Sequence, residues 1–284
     1  MKNSEINIRD PFVLTYNGKY YMYGTRATNT WESKANDTAG FDVYISDDLE
    51  NWSEPKPIFE YFEGFWGTRQ FWAPEVHIYN GKFYLFASFI ADGYQRGTAI
   101  LVCDTPDGTF KEHSNGAVTP KEWSCLDGTL YIENDIPYIV FCHEWTQINN
   151  GTMCALQLTP DLKEAVGEVI HLWSAADPFG AYDIKDGKGC YVTDGPFLIK
   201  KENGELICIW SSFSNGEYVE AISRSDNGSI TGKWTIDNKL LYEKDGGHGM
   251  IFTDLDGKSR FTYHYPNNTP NERPYFLEID IENL

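Results

Sequence analysis

Five residues with titratable side chains each precede a pair of short β-rich segments in this sequence. They are Asp10, Glu75, Asp127, Asp194 and His248. Carboxyl groups that converge on one site can act as a general acid and a general base, since burial and neighbouring charges can hold one protonated and another ionised. What the chain can do therefore depends on the fold that positions these side chains.

The two segments of each pair are joined by a tight polar turn, which predicts a β-hairpin. The turns are Asn17-Gly18, Asn80-Gly81, Asn134-Asp135, Asn203-Gly204 and Asp256-Gly257. The motif recurs with a period of roughly 60 residues, long enough for four strands in each unit. The repeat predicts an all-β, five-bladed β-propeller in which residues 1–284 form a single domain. The first strand of each blade lines the channel, so the five leading residues are expected at one mouth.

The number of residues from each leading residue to its turn gives a second expectation. This number is odd for the four copies that begin at Asp10, Glu75, Asp127 and Asp194, which predicts that their side chains share one strand face. It is even for His248. The fifth copy is therefore expected to contain a bulge or a longer turn.

Composition narrows the classes of ligand. The chain has 42 acidic and 23 basic residues, a net charge of −19, which argues against nucleic acid and anionic membranes and favours a neutral ligand. Apolar runs are too short for a transmembrane helix. The 6 cysteines have no CxxC or metal-ligand spacing, which predicts reduced thiols. No apolar signal segment follows Met1, so we expect a cytoplasmic protein, or a periplasmic or secreted one if a signal peptide has been removed.

The residues around the five leading positions resemble one known family. The segments are Arg9-Asp10-Pro11, Trp72-Ala73-Pro74, Leu126-Asp127-Gly128, Asp194-Gly195-Pro196 and Gly247-His248-Gly249. In this order and at blade spacing they are similar to glycoside hydrolase family 43, which contains arabinanases, α-L-arabinofuranosidases and β-xylosidases. The resemblance implies an inverting glycoside hydrolase that acts on plant-type polysaccharides or oligosaccharides. It also implies that Asp10 is the general base and that Asp127 raises the pKa of the general acid.

The fourth blade departs from the family pattern, which usually has Glu before Gly-Pro as the general acid. Asp194 is one methylene shorter, which leaves three alternatives. Asp194 is the acid with an adjusted backbone, the acid comes from elsewhere, or the chain binds sugar without cleaving it. Glu144 is the alternative acid, because it follows the second strand of the third unit, which returns to the mouth.

Other residues are candidates for substrate contacts or for a cation. Trp72 and Trp145 can pack on sugar rings, and Glu75 and Arg273 can bind sugar hydroxyls. The resemblance implies that His248 lies beside a central cation, so a structural calcium or other cation on the axis is expected, although the chemistry requires no cofactor. Predicted long loops at 31–40 and 59–70 favour a pocket and exo action. The sequence leaves the oligomeric state open.

Overall fold

The computed structural model describes residues 1–27, 31, 39–176 and 180–284. These residues form five antiparallel sheets arranged as the blades of a five-bladed β-propeller, which confirms the predicted fold. Blade I contains β1 (Ile8–Tyr16), β2 (Lys19–Arg26), β3 (Gly40–Ser46) and β4 (Lys56–Glu60). Blade II contains β5 (Arg69–Tyr79), β6 (Lys82–Ala91), β7 (Tyr94–Cys103) and β8 (Lys111–Ala117). Blade III contains β9 (Cys125–Glu133), β10 (Ile136–His143), β11 (Thr152–Leu158) and β12 (Ala165–Ser174).

The last two blades differ in strand number. Blade IV contains β13 (Asp194–Lys200), β14 (Leu206–Ser214), β15 (Glu217–Ser225) and β16 (Trp234–Ile236). Blade V contains β17 (Gly247–Thr253), β18 (Ser259–Tyr265) and β19 (Arg273–Glu278). The prediction of four strands per unit is therefore wrong for blade V within the described ranges. One short helix, α1 (Trp145–Ile148), follows β10, and 3-10 turns lie at Asn3–Glu5 and Ile281–Asn283. None of the helices in the described parts of the chain is long and apolar enough to cross a membrane.

Hairpin turns open each blade as predicted. In blades I, II and III the two turn residues both have positive φ, which is the backbone that a two-residue turn between twisted strands requires. In blade V the paired residues that flank the turn are Thr253 and Ser259, so this turn is longer, as one of the two alternatives proposed. The predicted loop at 59–70 is shorter than expected, since β4 ends at Glu60 and β5 begins at Arg69. Of the predicted loop at 31–40, residues 32–38 lie outside the described residues.

The core lies between the blades rather than within one of them. Four clusters of buried apolar side chains join neighbouring sheets. Between blades I and II, for example, Phe41, Phe59, Phe71 and Phe89 pack ring against ring with centroids 5.0 to 6.2 Å apart. Each sheet therefore buries both faces, which fixes the angular position of every first strand around the axis.

Each first strand carries a β-bulge near its beginning. One residue in each bulge has a positive φ, between +46° and +55°, and the pairing register shifts around it. These residues are Asp10, Ala73, Asp127, Gly195 and His248. Bulges of this kind redirect a side chain and interrupt the two-residue alternation of the strand. The simple alternation that the odd offsets assume is therefore interrupted at these bulges: Asp10 and Asp127 are bulge residues, whereas Asp194 precedes the bulge residue of its blade and Glu75 follows that of its blade.

Candidate active site

Side chains from the preceding blade hold the bulges in place. In four blades the N–H of the bulge residue donates to a side chain on the second strand of the neighbouring blade. The pairs are Asp10 with His264 Nδ1 (3.2 Å), Ala73 with Thr25 Oγ1 (2.7 Å), Asp127 with Ser88 Oγ (2.8 Å) and His248 with Ser211 Oγ (2.6 Å). Within its own blade, each acceptor residue pairs with the first-strand residue that comes just before the bulge. The bulges thus tie one blade to the next around the channel.

Blade IV breaks this pattern at Gly195. The equivalent residue on β10 is Cys142, which pairs with Leu126 just before the bulge of β9. A thiol is a weak acceptor, and Cys142 Sγ is directed to Met153 Sδ at 3.9 Å. The Gly195 N–H instead donates to Asp127 Oδ2 at 3.0 Å. The bulge of blade IV is therefore connected directly to the carboxyl cluster.

Asp10 is buried and surrounded by groups that favour its ionised form. Its Oδ2 accepts a hydrogen bond from Thr25 Oγ1 at 2.6 Å, and its Oδ1 lies 3.2 Å from His248 Nδ1. Burial by itself would raise the pKa of Asp10, but His248 and Arg9 outweigh burial and lower the pKa below its usual value. Asp10 is therefore a carboxylate at neutral pH, the state that a general base requires.

Asp127 faces Asp10 across His248. Its Oδ2 lies 3.8 Å from His248 Nδ1. Burial, followed by the negative charge of Asp10, raises the pKa of Asp127 well above its usual value. Proximity to the carboxylate of Asp10 therefore disfavours a second negative charge on Asp127.

Asp194 has the environment expected of a general acid. Burial and the neighbouring Asp127 raise the pKa of Asp194 to about 7. Its Oδ2 accepts a hydrogen bond from the Tyr218 hydroxyl at 3.0 Å. Burial raises the pKa of Tyr218 well above its usual value, so this hydroxyl stays protonated as a donor. As a whole residue Asp194 is more exposed than Asp10 and Asp127, which are both buried.

Glu144 does not share this environment. Its Oε2 accepts a hydrogen bond from Ser124 Oγ at 2.5 Å and lies 3.4 Å from Arg96 Nε. The Arg96 guanidinium also stacks on Trp72, with Cζ 3.8 Å from the ring centroid. Glu144 is thus part of a buried ion pair that also orients Trp72. Between the two candidates for the acid, the surroundings favour Asp194.

The remaining residues predicted to bind sugar differ in their contacts and in their relation to the carboxyl cluster. Glu75 is buried with its Oε2 2.9 Å from His77 Nε2, and its charge contributes to the raised pKa of Asp127. Trp145 begins α1 and has Lys185 Nζ 4.4 Å from its ring centroid. Arg273 donates from Nε to the Ser4 carbonyl and from Nη1 to Asn7 Oδ1, so it anchors the N-terminal segment and does not join the carboxyl cluster.

His248 is directed to carboxylates rather than to an open space. Its ring carbon Cδ2 would lie 2.7 Å from a Cβ at position 195, so only glycine fits there. Nowhere in ranges 1–27, 39–176 and 180–284, or at Trp31, do three or more His, Cys, Asp or Glu side chains form a group that could hold a metal. Calcium also prefers oxygen ligands. A cation beside His248 stays a prediction, and none of the steps below depends on it.

Several site residues escaped the sequence analysis. His264, Tyr218 and Arg9 surround Asp10 and Asp194, and Glu220 lies behind them. Burial lowers the pKa of His264 to about 3, so its neutral ring accepts the Asp10 N–H. His264 lies near the end of a second strand, the same position that indicated Glu144. The same signal therefore predicts His264 at the mouth of the channel.

A carboxylate with a lowered pKa and a carboxyl group with a raised pKa in one cluster are the kind of pair that glycoside hydrolysis uses. A family model described as Glycosyl hydrolases family 43 matches residues 4–279. The chain therefore belongs to this family of glycoside hydrolases, which confirms the class expected from the five segments.

Solved and curated relatives agree with this assignment. The crystal structure of an endo-arabinase from Bacteroides thetaiotaomicron VPI-5482 has a TM-score of 0.90 and 36% identity, covering 99% of this chain and 97% of that one. An extracellular endo-alpha-(1->5)-L-arabinanase 1 from Bacillus subtilis (strain 168) is 25% identical over 163 residues, 51% of this chain and 48% of that protein. Alpha-L-arabinofuranosidase 43 from Humicola insolens is 23% identical over 239 residues, 73% of this chain and 47% of that protein. The chain spans about half the length of these two curated relatives.

Proposed function

We propose that this chain hydrolyses O-glycosyl bonds of plant-type polysaccharides or oligosaccharides with inversion, and that it releases terminal α-L-arabinofuranosyl, β-D-xylosyl or related furanosyl residues. The observation that carries the proposal is the opposite shift of two carboxyl groups in one cluster. The pKa of Asp10 is lowered, whereas the pKa of Asp194 is raised to about 7. An inverting hydrolase needs this combination of base and acid.

In this mechanism Asp10 takes a proton from a water molecule while that water attacks the anomeric carbon. Asp194 donates its proton to the leaving glycosidic oxygen as the bond breaks, so both products are neutral. Burial and the neighbouring carboxyl group of Asp127 raise the pKa of Asp194, which keeps Asp194 protonated at higher pH. Tyr218 and the Gly195 amide orient the two carboxyl groups of Asp194 and Asp127.

The choice of arabinofuranosyl substrates is supported by the names of the relatives, of which two are arabinan-degrading enzymes and one is an arabinofuranosidase. Exo action is supported by Trp31, whose ring meets Trp72 edge-on at 5.3 Å and whose Nε1 donates to Thr269 at 3.3 Å. This side chain links blades I, II and V beside the site. Endo action is the second candidate, because the relative with 36% identity is an endo-arabinase.

The test is hydrolysis of aryl α-L-arabinofuranoside, aryl β-D-xyloside and linear arabinan, followed by NMR of the first anomer formed. We expect cleavage of at least one aryl substrate with inversion, and release of single sugars from arabinan. Longer products from arabinan would favour endo action. Binding of these sugars without any hydrolysis would show that the protein is a carbohydrate-binding propeller and not an enzyme.

A further inference from the structure

We propose that blade II carries a second carbohydrate-binding site, which takes a neutral sugar ring of the same oligosaccharide whose terminal unit lies in the axial site. The inference rests on the proposed function, because it assigns a place to the part of the substrate that is not cleaved. The site is a cavity of about 440 Å³. Its lining includes Trp66, Tyr94, Arg96, Glu112, Asn115 and Lys121.

The cavity opens on the same face of the propeller as the carboxyl cluster. It lies between the start of β7, the end of β8 and the connection that precedes β5. The first strand of a blade begins at the mouth, so the start of the third strand and the end of the fourth also lie there. Neighbouring strands are about 4.8 Å apart, which places β7 about 10 Å outward from β5, a distance that a short oligosaccharide spans.

The lining has the chemistry of a sugar site. Tyr94 is 65% exposed, and its ring centroid lies 6.3 Å from that of Trp66, so two aromatic surfaces are available for the C–H face of a sugar. The Trp66 Nε1 is buried and lacks a hydrogen-bond partner among the residues that the structure describes. Glu112, Asn115 and Lys121 add donors and acceptors, and the positive charge of Arg96 is paired with Glu144. This combination fits a neutral, hydroxyl-rich ligand better than an ion or an apolar one.

Arg96 connects this cavity to the axial site. It lines the cavity, while its guanidinium stacks on Trp72 and donates from Nη2 to Gln70 Oε1 at 2.8 Å. Its side chain is also paired with Glu144. The same residue therefore borders the wall of the axial site and the wall of the cavity, so a chain of sugars that leaves one would meet the other.

The experiment compares Tyr94→Ala with Tyr275→Ala, a matched variant at a tyrosine that is 42% exposed on blade V. We expect Tyr94→Ala to raise KM for arabino- or xylo-oligosaccharides about fivefold, the loss of one aromatic contact. Its kcat/KM for an aryl monoglycoside, which reaches only the axial site, is expected to stay within about twofold of wild type. Tyr94→Phe should restore oligosaccharide KM, and Tyr275→Ala should leave both substrates unaffected.

Direct binding separates this inference from the proposed function. Calorimetry with Asp10→Asn and with Asp10→Asn/Tyr94→Ala, each titrated with the same oligosaccharides, measures affinity without turnover. Weaker binding by the double variant supports the second site even if the wild type cleaves nothing. Equal binding by the two variants, or binding by neither, would overturn it even if the aryl glycoside is cleaved.

Discussion

The three aspartates of the cluster differ in what surrounds each carboxyl group. Asp10 lies beside His248 and Arg9, whereas Asp127 and Asp194 lie beside another carboxylate in a buried setting. The chemical type of the residue is the same in each case. The division into base, charge neighbour and acid therefore comes from the environment of each group.

At the residue scale, Asp10→Asn and Asp127→Asn are each expected to lower kcat at least about 100-fold, because both carboxyl groups act on the transition state. KM should change less, and circular dichroism should show an intact propeller. Asp135→Asn, in the exposed turn of blade III, is the control. Turnover close to wild type in Asp10→Asn would contradict its role as base.

Asp194→Asn tests the acid. We expect kcat for natural linkages to fall by about 100-fold or more, while aryl substrates with good leaving groups lose much less, since their phenolate departs without a proton. Glu144→Gln is the matched comparison. If the selective loss appears in Glu144→Gln instead, the acid is Glu144, and equal losses on both substrate types in Asp194→Asn would indicate a structural role.

The dependence of kcat/KM on pH tests the role of Asp194 as well. Asp194 must be protonated to act, so kcat/KM is expected to fall roughly tenfold per pH unit above pH 7. Tyr218→Phe removes a hydrogen bond that favours the ionised form, so the pKa of Asp194 should rise and the alkaline limb should move up by about one pH unit. An unchanged limb in Tyr218→Phe would exclude Asp194 as its source.

At the scale of the elements, the five bulges decide where side chains point. A residue with positive φ in each first strand turns the chain so that the amide faces the neighbouring blade. At Gly195 this amide reaches Asp127, because Cys142 occupies the position where the other blades have an oxygen or nitrogen acceptor. The sulfur atom of Cys142 on β10, in place of an oxygen or nitrogen, thereby affects a hydrogen bond to Asp127 in the carboxyl cluster.

Cys142→Ser tests this arrangement. The introduced hydroxyl is expected to accept the Gly195 N–H and to withdraw it from Asp127, which lowers kcat roughly tenfold, the value of one hydrogen bond to a charged group. Cys208→Ser places the same change at another buried cysteine, on β14, and controls for lost stability. The two variants should have similar melting temperatures but different kcat. Equal kcat values would show that the Gly195 contact has no catalytic effect.

At the scale of the whole molecule, Glu220 joins blades IV and V behind the site. It is fully buried on β15, and its Oε2 accepts hydrogen bonds from Ser211 Oγ at 2.6 Å and from the Gly249 N–H at 3.3 Å. Burial raises the pKa of Glu220 to about 8. A carboxyl group whose pKa is higher in the folded state stabilises the fold at low pH and loses that contribution as pH rises toward 8.

The free energy of unfolding is therefore expected to fall between pH 6 and pH 9, with Glu220 contributing on the order of 2 kcal/mol. Urea unfolding at the two pH values measures this difference. Glu220→Gln should make the decline smaller, whereas Glu217→Gln, at an exposed position of the same strand, should not. A decline of the same size in Glu220→Gln would mean that other groups cause it.

Much of the architecture can be predicted from the sequence because its signals are local. The Asn-Gly, Asn-Asp and Asp-Gly turns favour hairpins through backbone conformation alone, and their recurrence predicts five blades. The positions of Asp10, Asp127, Asp194 and His248 before these hairpins also predict that the four side chains lie near one another, as they do. No comparable signal marks the third strand of each blade, or indicates that blade V has three strands within the described residues.

The sequence by itself thus determined the repeat, the hairpins and the set of acidic residues that begin the blades. The tertiary structure decided what each of them does, because their neighbours come from other strands and, for Asp10 and Asp127, also from other blades. It paired Glu75 with His77, engaged Glu144 with Arg96 and Arg273 with the N-terminal segment, and brought Tyr218 and His264 to the cluster. It also placed a bulge in each first strand. One residue with positive φ there interrupts the alternation of side chains between the two faces of the strand, on which the counting of odd and even spacings depends. The pKa of a carboxyl group depends on burial and on charges within a few ångströms, and those distances exist only after the ring of blades has closed.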